Sequence, residues 1–226
     1  SRIQIKDINQ VLSAQSVGTL VITRNRFSKD TQSLCTGILI ADDYLMTAAH
    51  CIIDHMTGEG VLNAEFIPQY LGDGKQIRSR VFIEKGWVHK KYLTTDYKDI
   101  LQFKNGLVSL NRKPNTSDLA ILKVTNSQTG YGLGKQYGYV SPIAAEDVLT
   151  TKKPNVSLLS YPADKSGNTL WYQQCHLTEH KSLIGKFDCQ IYSGSSGAGL
   201  LIKAPNSDKD RVLGIVSSSS DNGLSG

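Results

Sequence analysis

Three short stretches carry the side chains best suited to chemistry: Thr47-Ala48-Ala49-His50-Cys51, Ser117-Asp118-Leu119-Ala120-Ile121-Leu122 and Ser193-Gly194-Ser195-Ser196-Gly197-Ala198-Gly199. In the first, small neighbours let the backbone turn tightly and leave the His50 imidazole accessible. In the second, Asp118 sits immediately before an apolar run. A carboxylate drawn partly into apolar surroundings needs a partner, because a lone buried charge is costly, and a histidine Nδ1–H is a suitable one. In the third, glycines flank Ser196. They leave room for an approaching substrate and permit the backbone angles that aim two N–H groups at one point. Singly, each has a plainer account: a structural histidine, a turn-capping aspartate, a surface loop. Jointly, an imidazole, a carboxylate and a hydroxyl, each at the edge of an apolar run, suit nucleophilic acyl transfer.

Such groups lie far apart in the chain, so strands must bring them together. Short apolar, β-branched runs recur between Gly, Asn, Asp and Ser: Val17–Thr23, Leu34–Ile40, Tyr44–Thr47, Ile77–Ile83, Leu119–Val124, Val156–Tyr161, Leu170–Gln174, Gly199–Ile202 and Val212–Ser217. This spacing predicts a β sandwich or barrel. Helical signals are few: Asp7–Ala14, a turn around Ala48–His55, and Ile143–Leu149 after Pro142. The polar, Gly-rich stretch Asn126–Gly138 reads as a linker between two β units, and Lys90–Ser117 as a long surface insertion of the kind that is usually functional or mobile.

The chain has 226 residues, 39% of them hydrophobic and 20% charged, which supports a packed core and argues against disorder. No apolar run approaches the ~18–20 residues that cross a bilayer. Ser1-Arg2-Ile3 opens no signal-peptide pattern, so an exported protein would begin here as the mature chain. The net charge of +5 is scattered apart from a loose cluster at Lys85, Lys90, Lys91, Lys98 and Lys104. A nucleic-acid protein would show a denser stripe, and no nucleic-acid partner is expected. The four cysteines, Cys35, Cys51, Cys175 and Cys189, contain no C-x-x-C pair, which leaves structural zinc and thioredoxin-like redox chemistry poorly supported. Local pairing would close two short loops, each worth about 3 kcal/mol in the chain-entropy model, and would suit an oxidising compartment. Four buried thiols are the alternative.

Taken together these motifs resemble the trypsin/chymotrypsin-like serine peptidase family. The order His, Asp, Ser is that of chymotrypsin, and Ala198 excludes the G-x-S-x-G elbow of the α/β-hydrolases. TAAHC at 47–51 is similar to the family's histidine motif, SDLAILKV at 117–124 to its aspartate motif, and GSSGAG at 194–199 to its serine motif. Leu34–Ile40 resembles the strand whose cysteine bonds to the one after the catalytic histidine, Val88–Tyr92 an H-P-x-Y segment, and Leu213–Ser217 one wall of the specificity pocket. Tyr161-Pro162-Ala163-Asp164-Lys165 resembles a segment of staphylococcal glutamyl endopeptidases. Cys175 and Cys189 are similar to a disulfide of bacterial trypsin-like peptidases.

The resemblance implies an all-β fold of two six-stranded antiparallel β-barrels, with the active site between them. The N-terminal barrel would span about 15–125, the linker 126–138 and the C-terminal barrel 139–226, in one peptidase domain. It implies the triad His50, Asp118 and Ser196, an oxyanion hole from the Gly194 and Ser196 N–H groups, and the disulfides Cys35–Cys51 and Cys175–Cys189. No cofactor or metal is implied. The expected partners are polypeptide substrates, the expected state a monomer, and the expected location extracellular or periplasmic, in a bacterium.

Departures from the family bear on control and specificity. Ser195 stands where animal members carry an Asp that pairs with a freed N-terminal amine, so activation by that salt bridge is not expected. Gln190 maps to the pocket base, where an acid would select Arg or Lys. Val216 occupies the place of a histidine that helps glutamyl endopeptidases bind Glu. Ser217 and Ser219 suggest a polar wall, and a neutral P1 residue is expected. Two rival functions remain. His176-Leu177-Thr178-Glu179-His180 spells the H-x-x-E-H of inverted zinc peptidases, but it follows a strand-like run and Gly185 soon interrupts any helix. A catalytically inactive, peptidase-like binding protein is the other alternative.

Overall fold

A computed structural model describes residues 1–26, 29–53, 58, 60–93, 101–104, 107–110, 117–125, 129–181 and 183–217. The apolar runs form strands that alternate their side chains between two faces, and nearly all pair antiparallel. The first sheet contains β2 (Val17–Arg26), β3 (Lys29–Ala41), β4 (Tyr44–Thr47), β5 (Asn63–Pro68), β6 (Val81–Phe82), β7 (Gly86–Val88) and β10 (Ala120–Lys123), in the order β6-β5-β2-β3-β4-β10-β7. Its two ends, β6 and β7, are consecutive in the chain and three residues apart. The sheet therefore curls back on itself, and β6 and β7 act as halves of one interrupted strand. Hydrogen bonds continue across the break, from Ile83 N–H to the Ala64 carbonyl and from Lys123 N–H to the Lys85 carbonyl, each 2.9 Å. Seven named strands thus make the six staves of a barrel.

The second sheet contains β1 (Arg2–Gln4), β11 (Asn155–Ser160), β12 (Trp171–Lys181), β14 (Gly199–Lys203) and β15 (Asp210–Ile215) in the order β1-β12-β11-β14-β15, with β13 (Ile184–Phe187) also on β12. Together the two curled antiparallel sheets make the expected all-β, chymotrypsin-like double barrel. The chain's N-terminal strand belongs to this second sheet, where Arg2 pairs with Gln173. Arg2 is held further by a bidentate ion pair with Asp164 at 2.8 and 2.5 Å and lies 4.8 Å above the Tyr192 ring.

Period-two alternation distributes the apolar side chains over three clusters. In β3, Cys35 and Leu39 face the first barrel's core with Leu20, Phe66 and Leu122, while Ile38 faces the opposite way. In β14, Leu200 and Ile202 fill the second barrel's core while Leu201 faces the first sheet. Ile38, Val17, Leu159, Tyr161 and Leu201 meet in a middle cluster that joins the two sheets.

The helical signals shrink to single turns. Asp7–Ala14 becomes two 3-10 turns, Ile8–Gln10 and Leu12–Ser16, the first closed by an Asp7/Gln10 capping box. The other short helices are α1 (Ala49–Ile52), α2 (Lys90–Leu93), α3 (Leu133–Tyr137) and α4 (Ala145–Val148). The stretch read as a linker includes α3, whose Leu133 is buried in the first barrel's core. The insertion 90–117 includes α2 and a hairpin of β8 (Leu101–Lys104) and β9 (Leu107–Leu110). Both cysteine pairs are disulfides, Cys35–Cys51 and Cys175–Cys189. Among the described residues, no helix is long and apolar enough to cross a membrane.

Candidate active site

Strand pairing brings His50 and Asp118 together. β4 and β10 are antiparallel neighbours with Ala120 opposite Thr47. The chain leaves β4 at Thr47 and turns into α1, and it enters β10 from Asp118, so both side chains stand at the same end of the pair. Ala48 and Ala49 are fully buried under this turn, where a larger side chain would displace it.

The contact is threefold. His50 N–H donates to Asp118 Oδ1 at 2.9 Å, and His50 Nδ1 lies 2.8 Å from Asp118 Oδ2. Ser217 Oγ donates to Asp118 Oδ2 at 2.5 Å. The Asp118 side chain is only 6% exposed and that of His50 11%. Burial, the largest influence, pushes the Asp118 carboxyl up; the His50 and Ser217 hydrogen bonds and the neighbouring imidazole together outweigh it, so the group ends below its ordinary value of 3.8. An ionised carboxylate here requires Nδ1 to carry the imidazole proton, since an acceptor must meet a donor.

Ser196 arrives by a different route, on a tight turn between the disulfide-bonded segment and β14. Gly194 and Gly197 have φ of 87° and 82°, left-handed values that other residues adopt only at a cost. A Cβ at Gly194 would come 2.2 Å from the Tyr161 carbonyl oxygen, and one at Gly197 would come 2.0 Å from Thr47 Oγ1. Glycine is thus what lets the turn press against the end of β4. Ser195, fully buried, puts its hydroxyl 3.2 Å from Ser160 Oγ; a neutral pair therefore sits under the loop. Gly197 N–H donates to the Val216 carbonyl at 2.8 Å, and Val216 N–H to the Ala198 carbonyl at 2.9 Å.

The structure joins His50 to Asp118 directly, while the Ser196 main chain is tied to β3. The Ser196 carbonyl accepts from Thr36 N–H at 2.8 Å and lies 4.0 Å from Cys51 Sγ, next to His50. Among the described residues, the Ser196 hydroxyl and the Gly194 and Ser196 N–H groups make no hydrogen bond within the chain. His50 also lies within 4.8 Å of the Cys35 and Cys51 sulfurs, but these are bonded to each other and offer no thiolate.

The residues read from the sequence as pocket have different surroundings. Ser217, read from the sequence as pocket wall, turns its hydroxyl to Asp118. Val216 is buried in the second barrel's core. Gln190 is exposed, with its N–H and carbonyl both held by the buried Gln173 side chain at 3.0 and 2.9 Å. Ser219 lies outside the described residues. His176, Glu179 and His180 lie on β12, and at ~3.3 Å per residue in a strand the two histidines stand too far apart to share one ion. Glu179 instead pairs with Lys186 at 2.8 Å, and His176 Nδ1 faces Asp188 at 3.3 Å.

Three supporting residues were missed in the sequence. Arg24 Nη2 donates to the carbonyls of His50 and Cys51, each at 2.9 Å, so His50 is tied at its carbonyl as well as its N–H. Thr36 holds the serine loop, and the Gln173 side chain holds the Gln190 backbone. Nothing local marks them, because their partners are remote in the chain.

The sequence pattern described as the trypsin-like peptidase domain matches residues 35–215. A search of the curated proteins gives no match. Among solved structures, a Glu endopeptidase in complex with MPD superposes with a TM-score of 0.71 at 19% identity, covering 100% of this chain and 89% of that one. The protease Anisep from Arthrobacter nicotinovorans gives 0.69 at 16%, covering 97% and 88%. The thermostable serine protease AL20 from an extremophilic microorganism gives 0.64 at 18%, covering 93% and 88%. At these identities the likeness is one of fold, while the sequence pattern, which spans most of the chain, decides the family: the chain belongs to the trypsin-like peptidases.

Proposed function

We propose that this trypsin-like serine endopeptidase cleaves polypeptides through an acyl-enzyme on Ser196. The observation that carries the reading is the His50–Asp118 pair with the Ser196 turn locked against the same strand end. His50 takes the Ser196 Oγ proton as the oxygen attacks the scissile carbonyl, and returns it to the leaving amine. Asp118 holds the Nδ1–H tautomer and stabilises the imidazolium, so that Nε2 faces the reaction. The Gly194 and Ser196 N–H groups receive the oxyanion; among the described residues neither has a hydrogen-bond partner, which supports that role. Water later attacks the acyl-enzyme with His50 again as base.

The Ser195–Ser160 hydroxyl pair supports a loop that needs no ion pair with a new N-terminus. Gln190 at the pocket base, with no acid there, supports a neutral P1 residue. The two disulfides support an extracellular or periplasmic location. One observation favours the inactive, binding-protein alternative: the Ser196 hydroxyl is not bonded to His50. Catalytic hydrogen bonds are often long before substrate binds, and all three triad positions are filled. Digestion of a peptide library decides between them. Cleavage that is lost in Ser196→Ala supports the peptidase; a folded wild-type chain that cleaves nothing leaves the binding protein.

A further inference from the structure

We propose that Thr36 is a positioning residue for the oxyanion site, acting across the seam between the two barrels. The inference rests on the acyl-transfer reading above and extends it to a residue outside the triad. Thr36 lies in β3 of the first sheet and is fully buried. Its Oγ donates to the Gly194 carbonyl at 2.8 Å and accepts from Tyr161 N–H at 3.1 Å. Its N–H donates to the Ser196 carbonyl at 2.8 Å, and its own carbonyl accepts from Thr47 Oγ1 at 2.9 Å.

Peptide planarity gives these bonds their consequence. The Gly194 carbonyl belongs to the plane that follows the Gly194 N–H, and the Ser196 carbonyl to the plane that follows the Ser196 N–H. Because each plane is rigid, holding these two carbonyls restrains the planes next to both oxyanion donors. Gly194 has no Cβ and could rotate through many conformations. The Thr36 hydroxyl selects one, and its own direction is limited because a β-branched side chain is stiff at χ1. The neighbouring residue on the same strand, Cys35, faces the other side and is bonded to Cys51 beside His50. One dipeptide of β3 thus ties the histidine turn on one face and the oxyanion loop on the other.

A side chain that only filled space would be replaceable by valine. A positioning hydroxyl is not. The test compares wild type, Ser196→Ala, Thr36→Val and Thr36→Ser with an internally quenched peptide and with a peptide boronic acid, which mimics the tetrahedral adduct. For Thr36→Val we expect kcat to fall about 10–100-fold, since an oxyanion donor is worth 10²–10³ and a small misplacement forfeits part of it. KM should stay within about threefold, and boronate affinity should fall by the same factor as kcat/KM. Thr36→Ser, which keeps the hydroxyl, should stay within about threefold of wild type. The pH profile should not move, because Thr36 does not touch His50. Where Thr36→Val does not melt as a native chain, Thr36→Ala is read in its place. Wild-type kcat in a natively folded Val or Ala variant, a Ser variant as slow as either, or a rise in KM alone would overturn the proposal. Wild type that turns over no better than Ser196→Ala would remove the acyl-transfer reading and this proposal with it.

Discussion

The two halves of the site are held by different physics. His50 and Asp118 are placed by β4–β10 register, a ladder of backbone bonds in which the loss of any one leaves the others. Ser196 is placed by an irregular turn with two left-handed glycines and a few hydrogen bonds from the opposite barrel. The first half is held by a regular ladder and the second by scattered bonds from both barrels with no repeat. Changes near the histidine corner should therefore alter chemistry mostly through the groups that react, whereas changes around the serine turn should alter it through geometry.

The largest effects test the reacting groups themselves. Ser196→Ala and His50→Ala should each lower kcat by about 10⁴–10⁶ while the chain still folds, the range found when triad members are removed from other serine peptidases. Asp118→Asn should cost about 10⁴, because it favours the wrong imidazole tautomer. Steady-state hydrolysis beside thermal melting checks all three, and near-full activity in any would break the comparison at its first half.

Gly197→Ala probes the second half. The new Cβ would meet Thr47 Oγ1 and the Thr36 carbonyl while forcing alanine to a positive φ. A loss of about 2–5 kcal/mol in folding stability is expected, measured by urea unfolding. A variant as stable as wild type would show that the turn yields more easily than its contacts indicate.

The disulfides sharpen the contrast at equal cost. Their sequence separations are 16 and 14, so removing either should cost a similar ~3 kcal/mol. Only the Cys35→Ala/Cys51→Ala pair should also slow turnover, by roughly tenfold, since Cys35 adjoins Thr36, which holds the serine turn, and a small misplacement of that turn is costly. Cys175→Ala/Cys189→Ala should leave kcat within about twofold, since that bridge lies in the second barrel's core.

The smallest effect concerns pH. Asp118 has a folded value below its ordinary 3.8. Its contribution to stability is therefore complete above the ordinary value and is lost as pH falls through the folded one. Melting temperature followed from pH 6 to pH 2 should drop more steeply below about pH 4 in wild type than in Asp118→Asn. Equal slopes would mean that the carboxylate is not held by His50 and Ser217.

What could be read from the sequence followed the same division. The β-branched runs at 17–23, 34–40 and 156–161 announced strands because burial on one face imposes period two. β5 was missed because Glu65 interrupts an already short apolar run, and β1 because three residues carry no period. The Ile77–Ile83 run looked like one strand, yet only Val81 and Phe82 pair with β5. His50 and Ser196 stood out by residue type and small neighbours, and Asp118 by its place before an apolar run. The Ser217 bond to Asp118 was not legible because no local pattern says which partner a hydroxyl will find. Thr36 and Arg24 escaped for the same reason: their partners lie 158 and 26 residues away.

The most direct test of the central claim is stoichiometric titration with a serine-directed fluorophosphonate, followed by peptide mapping. The account predicts one label per folded chain, on Ser196, with labelling abolished in His50→Ala and hydrolysis lost in parallel. A folded chain that takes up no label, or takes it up elsewhere while still hydrolysing peptides, would contradict it.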